Sequence, residues 1–366
     1  MLLQPKPAID KVVPCAHGGI DYSELKKIGI PRETILDFSV SCNPFGPPPG
    51  IREALSSASI EHYPDSEASE LRQSLAKKLD IVPDNLIMGS GSTELIRLVA
   101  IAYFGSEDLV LIPQPTYGEY EVACHLINAQ VLKQPMLKGA DFRLNIAETV
   151  DLIQKYQPKG IFLCNPNNPT GQYLTKEEVK QILSIAKDSL VILDEAYIAF
   201  TKNAWTSLDL VNRGNLVILR SMTKDHALAG LRLGYAAAAE PIISSLKRVR
   251  PPWNVNAVAQ KAGIIALNAD GYLEECGIKI QEAKGFLVKE LAHLGLPPLP
   301  SQTNFFLVKV GDATEFRQAL LKKGMLVRDC TSFGLPDYIR LAPRTLPECQ
   351  RLIAAIKESR VYSHVS

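Results

Sequence analysis

The chain has 366 residues, 46% of them hydrophobic and 22% charged, with a formal net charge of +1. That length suits two domains, or one large domain with a smaller satellite, each able to bury a core. The balanced charge excludes a field that would draw in nucleic acid or an anionic membrane. Seven dispersed cysteines with no Cys-x-x-Cys pair argue against a disulfide framework and against a zinc site. No apolar core follows a basic patch at the start, and no apolar run reaches membrane-spanning length. The expectation is a reduced, cytoplasmic protein.

Residues 1–50 are punctuated by His17-Gly18-Gly19 and Asn43-Pro44-Phe45-Gly46-Pro47-Pro48-Pro49. So many breakers predict an arm laid across a folded body, with part of it belonging to a small domain. From about 51 to 245 helix and strand patterns alternate, which predicts the large domain; 246–366 is expected to be a smaller α+β domain.

The spacing predicts a helix over 67–79 and a short strand at Leu86-Ile87-Met88. Gly89-Ser90-Gly91-Ser92-Thr93-Glu94 then opens a helix carrying Leu95, Leu98, Val99 and Ala102 at helical spacing. A glycine-rich turn there aims unpaired N–H groups outward, and the helix dipole favours an anion. A plain turn with a serine cap has the same pattern, and no Walker loop is present because no Gly-Lys-Ser/Thr follows. Strand 109–112 runs into Tyr117, placed to lie on a cofactor or simply to sit in a loop. Strand 160–164 ends in Asn165-Pro166-Asn167-Asn168-Pro169-Thr170-Gly171, which neither strand nor helix can continue. A capping box, Thr175 to Glu178, starts the next helix.

Strand 190–193 leads into Asp194-Glu195-Ala196-Tyr197. An acid leaving an apolar strand is costly without a cation, although a helix N-cap is the competing explanation. Strand 216–219 precedes Ser221-Met222-Thr223-Lys224, with Arg232 eight residues after the lysine. Such a lysine can form an imine with an aldehyde, and the hydroxyls and arginine can hold that aldehyde's phosphate. Taken alone, each element has an ordinary structural explanation. Together Ser92, Thr93, Tyr117, Asn168, Asp194, Tyr197 and Lys224 all follow strands or strand-to-helix turns, where ligands bind in a doubly wound, mainly parallel α/β sheet.

Asn168-Pro169-Thr170-Gly171, Asp194-Glu195-Ala196-Tyr197, Ser221-x-Thr223-Lys224 and Arg232-Leu233-Gly234-Tyr235 resemble the fold type I pyridoxal-phosphate-dependent aminotransferase superfamily, in its order and over almost the whole chain. The resemblance implies pyridoxal 5'-phosphate as cofactor and Lys224 as the lysine bonded to it. It implies that Asp194 pairs with the ring nitrogen, that Asn168 and Tyr197 bond the ring oxygen, and that Tyr117 stacks on the ring. Ser92, Thr93, Ser221, Thr223 and Arg232 would hold the phosphate. Tyr63 matches a tyrosine that reaches the neighbouring subunit's phosphate, which implies a homodimer with shared sites.

Within the superfamily the sequence is similar to the cobalamin-pathway threonine-phosphate decarboxylases and, next, to the histidinol-phosphate aminotransferases. His17-Gly18-Gly19-Ile20, Asn43-Pro44, Trp253, Arg328-Asp329-Cys330 and Arg340-Leu341-Ala342-Pro343-Arg344 carry the first likeness. The leading expectation is therefore a lyase that decarboxylates O-phospho-L-threonine, or O-phospho-L-serine, to an amino-alcohol phosphate. His17, Asn43, Asn168, Arg328, Arg340 and Arg344 are its candidate substrate residues. A substrate with both phosphate and carboxylate needs more cations than a phosphate ester alone. The alternatives are an aminotransferase of histidinol phosphate or a related amino acid, and a non-catalytic cofactor-binding regulator. His226, beside Lys224, is expected to be structural or solvent-facing.

Overall fold

The computed structural model describes residues 3–359. In the arm, β1 (Leu36–Asp37) is a two-residue strand. The main sheet follows, built from β2 (Leu86–Gly89), β3 (Leu109–Gln114), β4 (Gln130–Pro135), β5 (Gly160–Cys164), β6 (Leu190–Asp194), β7 (Leu216–Ser221) and β8 (Gly234–Ala238). Their spatial order is β2-β8-β7-β6-β5-β3-β4. Only β8 runs antiparallel to its neighbours. β5, β6 and β7 are nearly continuous apolar runs because both faces of the sheet are covered.

Alternate residues of the same strands feed two cores. Ile161, Leu163, Val191, Leu193 and Ile218 pack with helices Ser69–Leu79 and Lys176–Ile185. Phe162, Ile192, Val217 and Leu219 pack with helices Ser92–Tyr103, Glu119–Leu126 and Glu240–Val249. This is the doubly wound arrangement. The capping box at Thr175 forms as expected, with Thr175 accepting from the Glu178 N–H and the Glu178 carboxylate accepting from the Thr175 N–H.

After β3 the chain adds β4 on one side, whereas β5, β6 and β7 build outward on the other. The crevice between β3 and β5 is thus the switch point, where helices leave to opposite faces and a cleft opens beyond the carboxyl ends. β2 and β7 point their ends the same way, which brings the turns after β2, β3, β5, β6 and β7 to one rim.

A third core joins helices Tyr272–His293, Ala313–Leu321 and Leu346–Ser359 to β9 (Phe306–Lys309) and to the strands β10 (Met325–Leu326), β11 (Arg328–Asp329) and β12 (Tyr338–Leu341). β11, β12 and β9 form an antiparallel sheet, and β1 pairs in parallel with β10. Phe38 of the arm lies in this core, so the arm is shared between the two bodies. Helix Ala257–Leu267 buries Ala259, Ala262 and Ala266 in the core of the large sheet. The third core begins only in helix Tyr272–His293, later than the domain start expected at 246.

Among the described residues no helix is long and apolar enough to cross a membrane, and all seven cysteines are free thiols.

Candidate active site

The carboxyl ends of the strands and the small body enclose one cavity. Ser92, Thr93, Tyr117, Asn168, Asp194, Tyr197, Ser221, Thr223, Lys224 and Arg232 line it, and so do His17, Arg328 and Arg340. Thirteen positions drawn from eight separate segments therefore meet at one place.

Asp194 ends β6 and is 2% exposed. Its Oδ2 accepts from the Tyr120 hydroxyl at 2.7 Å, and its Oδ1 accepts from the Ala196 N–H at 3.0 Å. The next residue, Glu195, faces the other way and meets the Arg220 guanidinium at 2.8 Å. Asp194 has no such ion pair among the described residues. Burial pushes its carboxyl up; the Tyr120 and Ala196 donors and the nearby Lys224 only partly offset that. A buried acid without a cation is a costly arrangement, and a protonated ring nitrogen is the kind of group that relieves it.

Lys224 lies in the one-turn helix Met222–Asp225 just past β7. Burial lowers its ammonium from the ordinary 10.5, and the cations Arg232 and Arg340 lower it further, against the opposing pull of Cys42 and Asp194. A lysine so placed keeps a larger fraction of free amine, the nucleophilic form. Its Nζ stands 5.9 Å from the centre of the Tyr197 ring. The Asn43 N–H donates to the Lys224 carbonyl at 2.8 Å, and its side-chain amide donates to the Asp225 carbonyl at 3.0 Å. Asn43, expected on the substrate, instead pins the arm to the lysine turn and does not line the cavity.

At the opposite end Gly91 adopts φ +79°, and a Cβ built there would lie 2.5 Å from Arg232 Nη2. The glycine lets the guanidinium close on the start of helix Ser92–Tyr103. Arg232 has no carboxylate partner among the described residues. Ser92, Thr93, Ser221 and Thr223 surround it at the cavity wall, although the Thr223 hydroxyl also donates to the Leu233 carbonyl at 3.2 Å. Helix N–H groups, hydroxyls and an unpaired arginine make a cradle for a phosphate. Tyr117 spans the space between, its hydroxyl 3.1 Å from Thr93 Oγ1. Burial raises that phenol.

The cations divide into three kinds. Arg340 is 5% exposed and donates to Asn168 Oδ1 and, at 2.7 Å, to the Ser39 carbonyl. It has no carboxylate partner, and its Nε has no hydrogen-bond partner among the described residues. Arg328 is turned to the Ala16 carbonyl at 2.8 Å and the Ser332 hydroxyl at 2.7 Å. Arg344, expected on the substrate, is outside the cavity: it bonds the Asp37 carbonyl at 3.3 Å and pairs with Glu348 at 3.0 Å. One helical turn separates Arg344 from Glu348, and that local pair takes the charge the sequence offered to the substrate. His17 lines the cavity, with its Nε2 at 3.4 Å from Glu119 Oε1.

Tyr63 is also outside the cavity. It is 77% exposed and stacks on Trp253 with ring centres 4.2 Å apart. His226 is buried, with its Nδ1 at 2.8 Å from Asp225 Oδ1, the structural role expected of it. Tyr120, Cys42, Cys164 and Ser39 line the cavity without having been singled out. Tyr120 sits in a helix of apolar pattern three residues after Tyr117, and nothing in that spacing distinguishes it from a core aromatic.

A buried carboxylate awaiting a cation, a lysine with depressed basicity and a phosphate cradle, set at the rim of a doubly wound sheet, define a pyridoxal-phosphate-dependent enzyme of fold type I. The model of the aminotransferase class I and II family matches residues 33–356. The chain belongs to that family, and pyridoxal 5'-phosphate is its cofactor. It is 37% identical over 311 residues to the histidinol-phosphate aminotransferase of Thermoanaerobacter sp. (strain X514), covering 84% of this chain and 87% of that one. The solved L-threonine-O-3-phosphate decarboxylase of Porphyromonas gingivalis is 29% identical, with a TM-score of 0.77 over 88% of this chain and 98% of that one. The histidinol-phosphate aminotransferase of Sinorhizobium meliloti, solved with pyridoxal-5'-phosphate, shares the fold at a TM-score of 0.89 and 23% identity over 100% and 99% of the two chains.

Proposed function

We propose that the chain is an aminotransferase acting on a phosphate-ester amine of the histidinol-phosphate type. The observation that carries this reading is the state of the cations. Among the cavity arginines Arg340, which donates to Asn168 and the Ser39 carbonyl, has a buried Nε left without a partner, whereas Arg328 is turned to the arm's carbonyl and Ser332, and Arg344 pairs with Glu348 outside the cavity. One such fork matches a substrate with a single anionic group better than one with two. The same fork would take a carboxylate of the amino-acid partner in the return half-reaction. The 37% identical relative supports the same choice.

In this reading Lys224 would hold the cofactor at its aldehyde carbon and would move a proton at the substrate's Cα. Its lowered basicity leaves more of it as the free amine that accepts a proton. Asp194 would hold the ring nitrogen protonated, Asn168 and Tyr197 would donate to the ring oxygen, Tyr117 would pack against the ring, and Ser92, Thr93, Ser221, Thr223 and Arg232 would hold the phosphate. The cofactor supplies a conjugated electron sink for the bond broken at Cα. Tyr63, exposed and braced by Trp253, is assigned to the cavity of a second copy, making the working unit a homodimer.

Decarboxylation of a phosphorylated hydroxy amino acid is the second reading. It is favoured by Arg328 and Arg340 standing in the same cavity wall and by the likeness to the Porphyromonas gingivalis enzyme. One experiment separates the two. The holoenzyme is mixed with histidinol phosphate and followed for conversion to the pyridoxamine form, which 2-oxoglutarate must reverse. In parallel, O-phospho-L-threonine without keto acid is assayed for CO2. Reversible conversion without CO2 supports the aminotransferase; steady CO2 release overturns it.

A further inference from the structure

The N-terminal arm and the start of helix Glu119–Leu126 bring together Cys15 Sγ, the His17 imidazole and the Glu119 carboxylate, all within 4.8 Å of one another. We propose that these three residues form a site for a zinc-type divalent cation that clasps the arm to the large domain at the mouth of the cavity. This inference does not depend on which substrate the enzyme takes.

Thiolate, imidazole and carboxylate are the donor mixture that selects zinc over magnesium or calcium. Tetrahedral zinc with ligands at about 2.0–2.3 Å sets its donor atoms roughly 3.3–3.8 Å apart. His17 Nε2 and Glu119 Oε1 already stand at 3.4 Å, and with all three donors within 4.8 Å of one another the cluster closes onto zinc by a shift of at most about 1 Å. The thiol proton leaves to solvent as the sulfur coordinates.

Three features show the cluster to be organised in advance. Glu119 is 5% exposed, and its other oxygen accepts from Arg97 at 3.0 Å. Arg97 thus orients the carboxylate from outside the ligand shell and leaves Oε1 turned towards His17. Gly118 gives the thiol its room, since a Cβ there would lie 2.8 Å from Cys15 Sγ. The backbone between the two arm ligands is held where Arg328 donates to the Ala16 carbonyl, and the Gly19 N–H beyond them donates to the Ser39 hydroxyl at 2.8 Å. The thiolate and carboxylate together balance the cation's two charges. With three protein ligands, the fourth position stays open, as in an exchangeable site. His17 also lines the cavity, so a bound cation would fix the arm over its entrance.

The test is zinc retention by the holoenzyme after dialysis, counted by elemental mass spectrometry. Wild type is expected to keep one zinc per chain. Cys15→Ser and Glu119→Gln are expected to lose it, and His293→Gln, which alters an exposed histidine paired with Glu290, to keep it. Because the cofactor can itself chelate metals, the comparison of wild type with Cys15→Ser carries the decision. Cobalt substitution gives a second readout: visible d–d bands in wild type that Cys15→Ser lacks. Trypsin cleavage after Lys11 should slow with zinc in wild type and not in Cys15→Ser. Equal zinc in wild type and Cys15→Ser, or no retained zinc in wild type, overturns the proposal.

Discussion

The Tyr120 hydroxyl donates a 2.7 Å hydrogen bond to Asp194 Oδ2 from a ring stacked on Phe162, with centres 4.7 Å apart. The buried acid is thereby aimed by a second, fully buried side chain. Tyr120→Phe keeps the stack and removes the donor. Losing a hydrogen bond to a charged acceptor costs about 1.5–3 kcal/mol, or roughly 10- to 100-fold in affinity. Titration of the apoprotein with pyridoxal phosphate should show that weakening, with far-UV circular dichroism unchanged. Unaltered affinity would remove Tyr120 from the site's working parts.

Lys224 makes the apoprotein's stability depend on pH. Burial, reinforced by Arg232 and Arg340, lowers its folded-state value below the 10.5 of the unfolded chain. Below the folded value both states hold the proton, and folding bears the whole cost of burying the ammonium. Between the folded value and 10.5 the unfolded chain binds more protons, so stability rises with pH. Lys224→Met removes the cost. The variant apoprotein should melt above wild type at neutral pH, with the gap closing as pH climbs towards 10.5. A gap that is constant with pH would mean the ammonium is not penalised.

Arg340 and Arg344 lie four residues apart and should behave differently. Arg340→Lys loses the fork that spans Asn168 and the Ser39 carbonyl. A loss of about 1.5–3 kcal/mol at a charged contact raises the KM for a phosphorylated substrate roughly 10- to 100-fold. Arg344→Ala, which breaks a local pair with Glu348, should stay within about twofold. Steady-state kinetics on both variants decides the matter, and equal damage from the two would restore the expectation that both arginines meet the substrate.

Gly160 opens β5 where no side chain fits: a Cβ there would lie 2.2 Å from Phe104 Cζ. Gly160→Ala should lower the urea midpoint by an amount equivalent to about 1–3 kcal/mol of overpacking. Adding Phe104→Leu should recover part of it, since the two substitutions act on one contact. No recovery in the double variant would place the strain elsewhere.

Most of the fold was legible in the sequence because apolar runs of strand length alternate with helical stripes, and such alternation folds as a doubly wound sheet. The residues that line the cavity were legible for the same reason. Tyr117, Asn168, Asp194 and Lys224 each follow a strand, and parallel strands deliver their ends to one rim. The aminotransferase likeness was visible in the same motifs, but the choice between branches leaned towards decarboxylation by counting arginines. Arg344 was miscounted because a glutamate one helical turn on claims its guanidinium, and Asn43 because its hydrogen bonds go to the backbone of the lysine turn.

The sequence by itself determined the class of chemistry, since a lysine, an acid and a phosphate cradle can be recognised from residue type and order. The tertiary structure alone decided which charges remain unpaired. Arg340 has no carboxylate partner while Arg344 has Glu348, Asp194 lacks the cation that Glu195 has, and Cys15 and His17 meet Glu119 across about a hundred residues of chain. Pairing depends on distances of a few ångströms between segments remote in sequence, and Coulomb and hydrogen-bond energies fall away over that same scale.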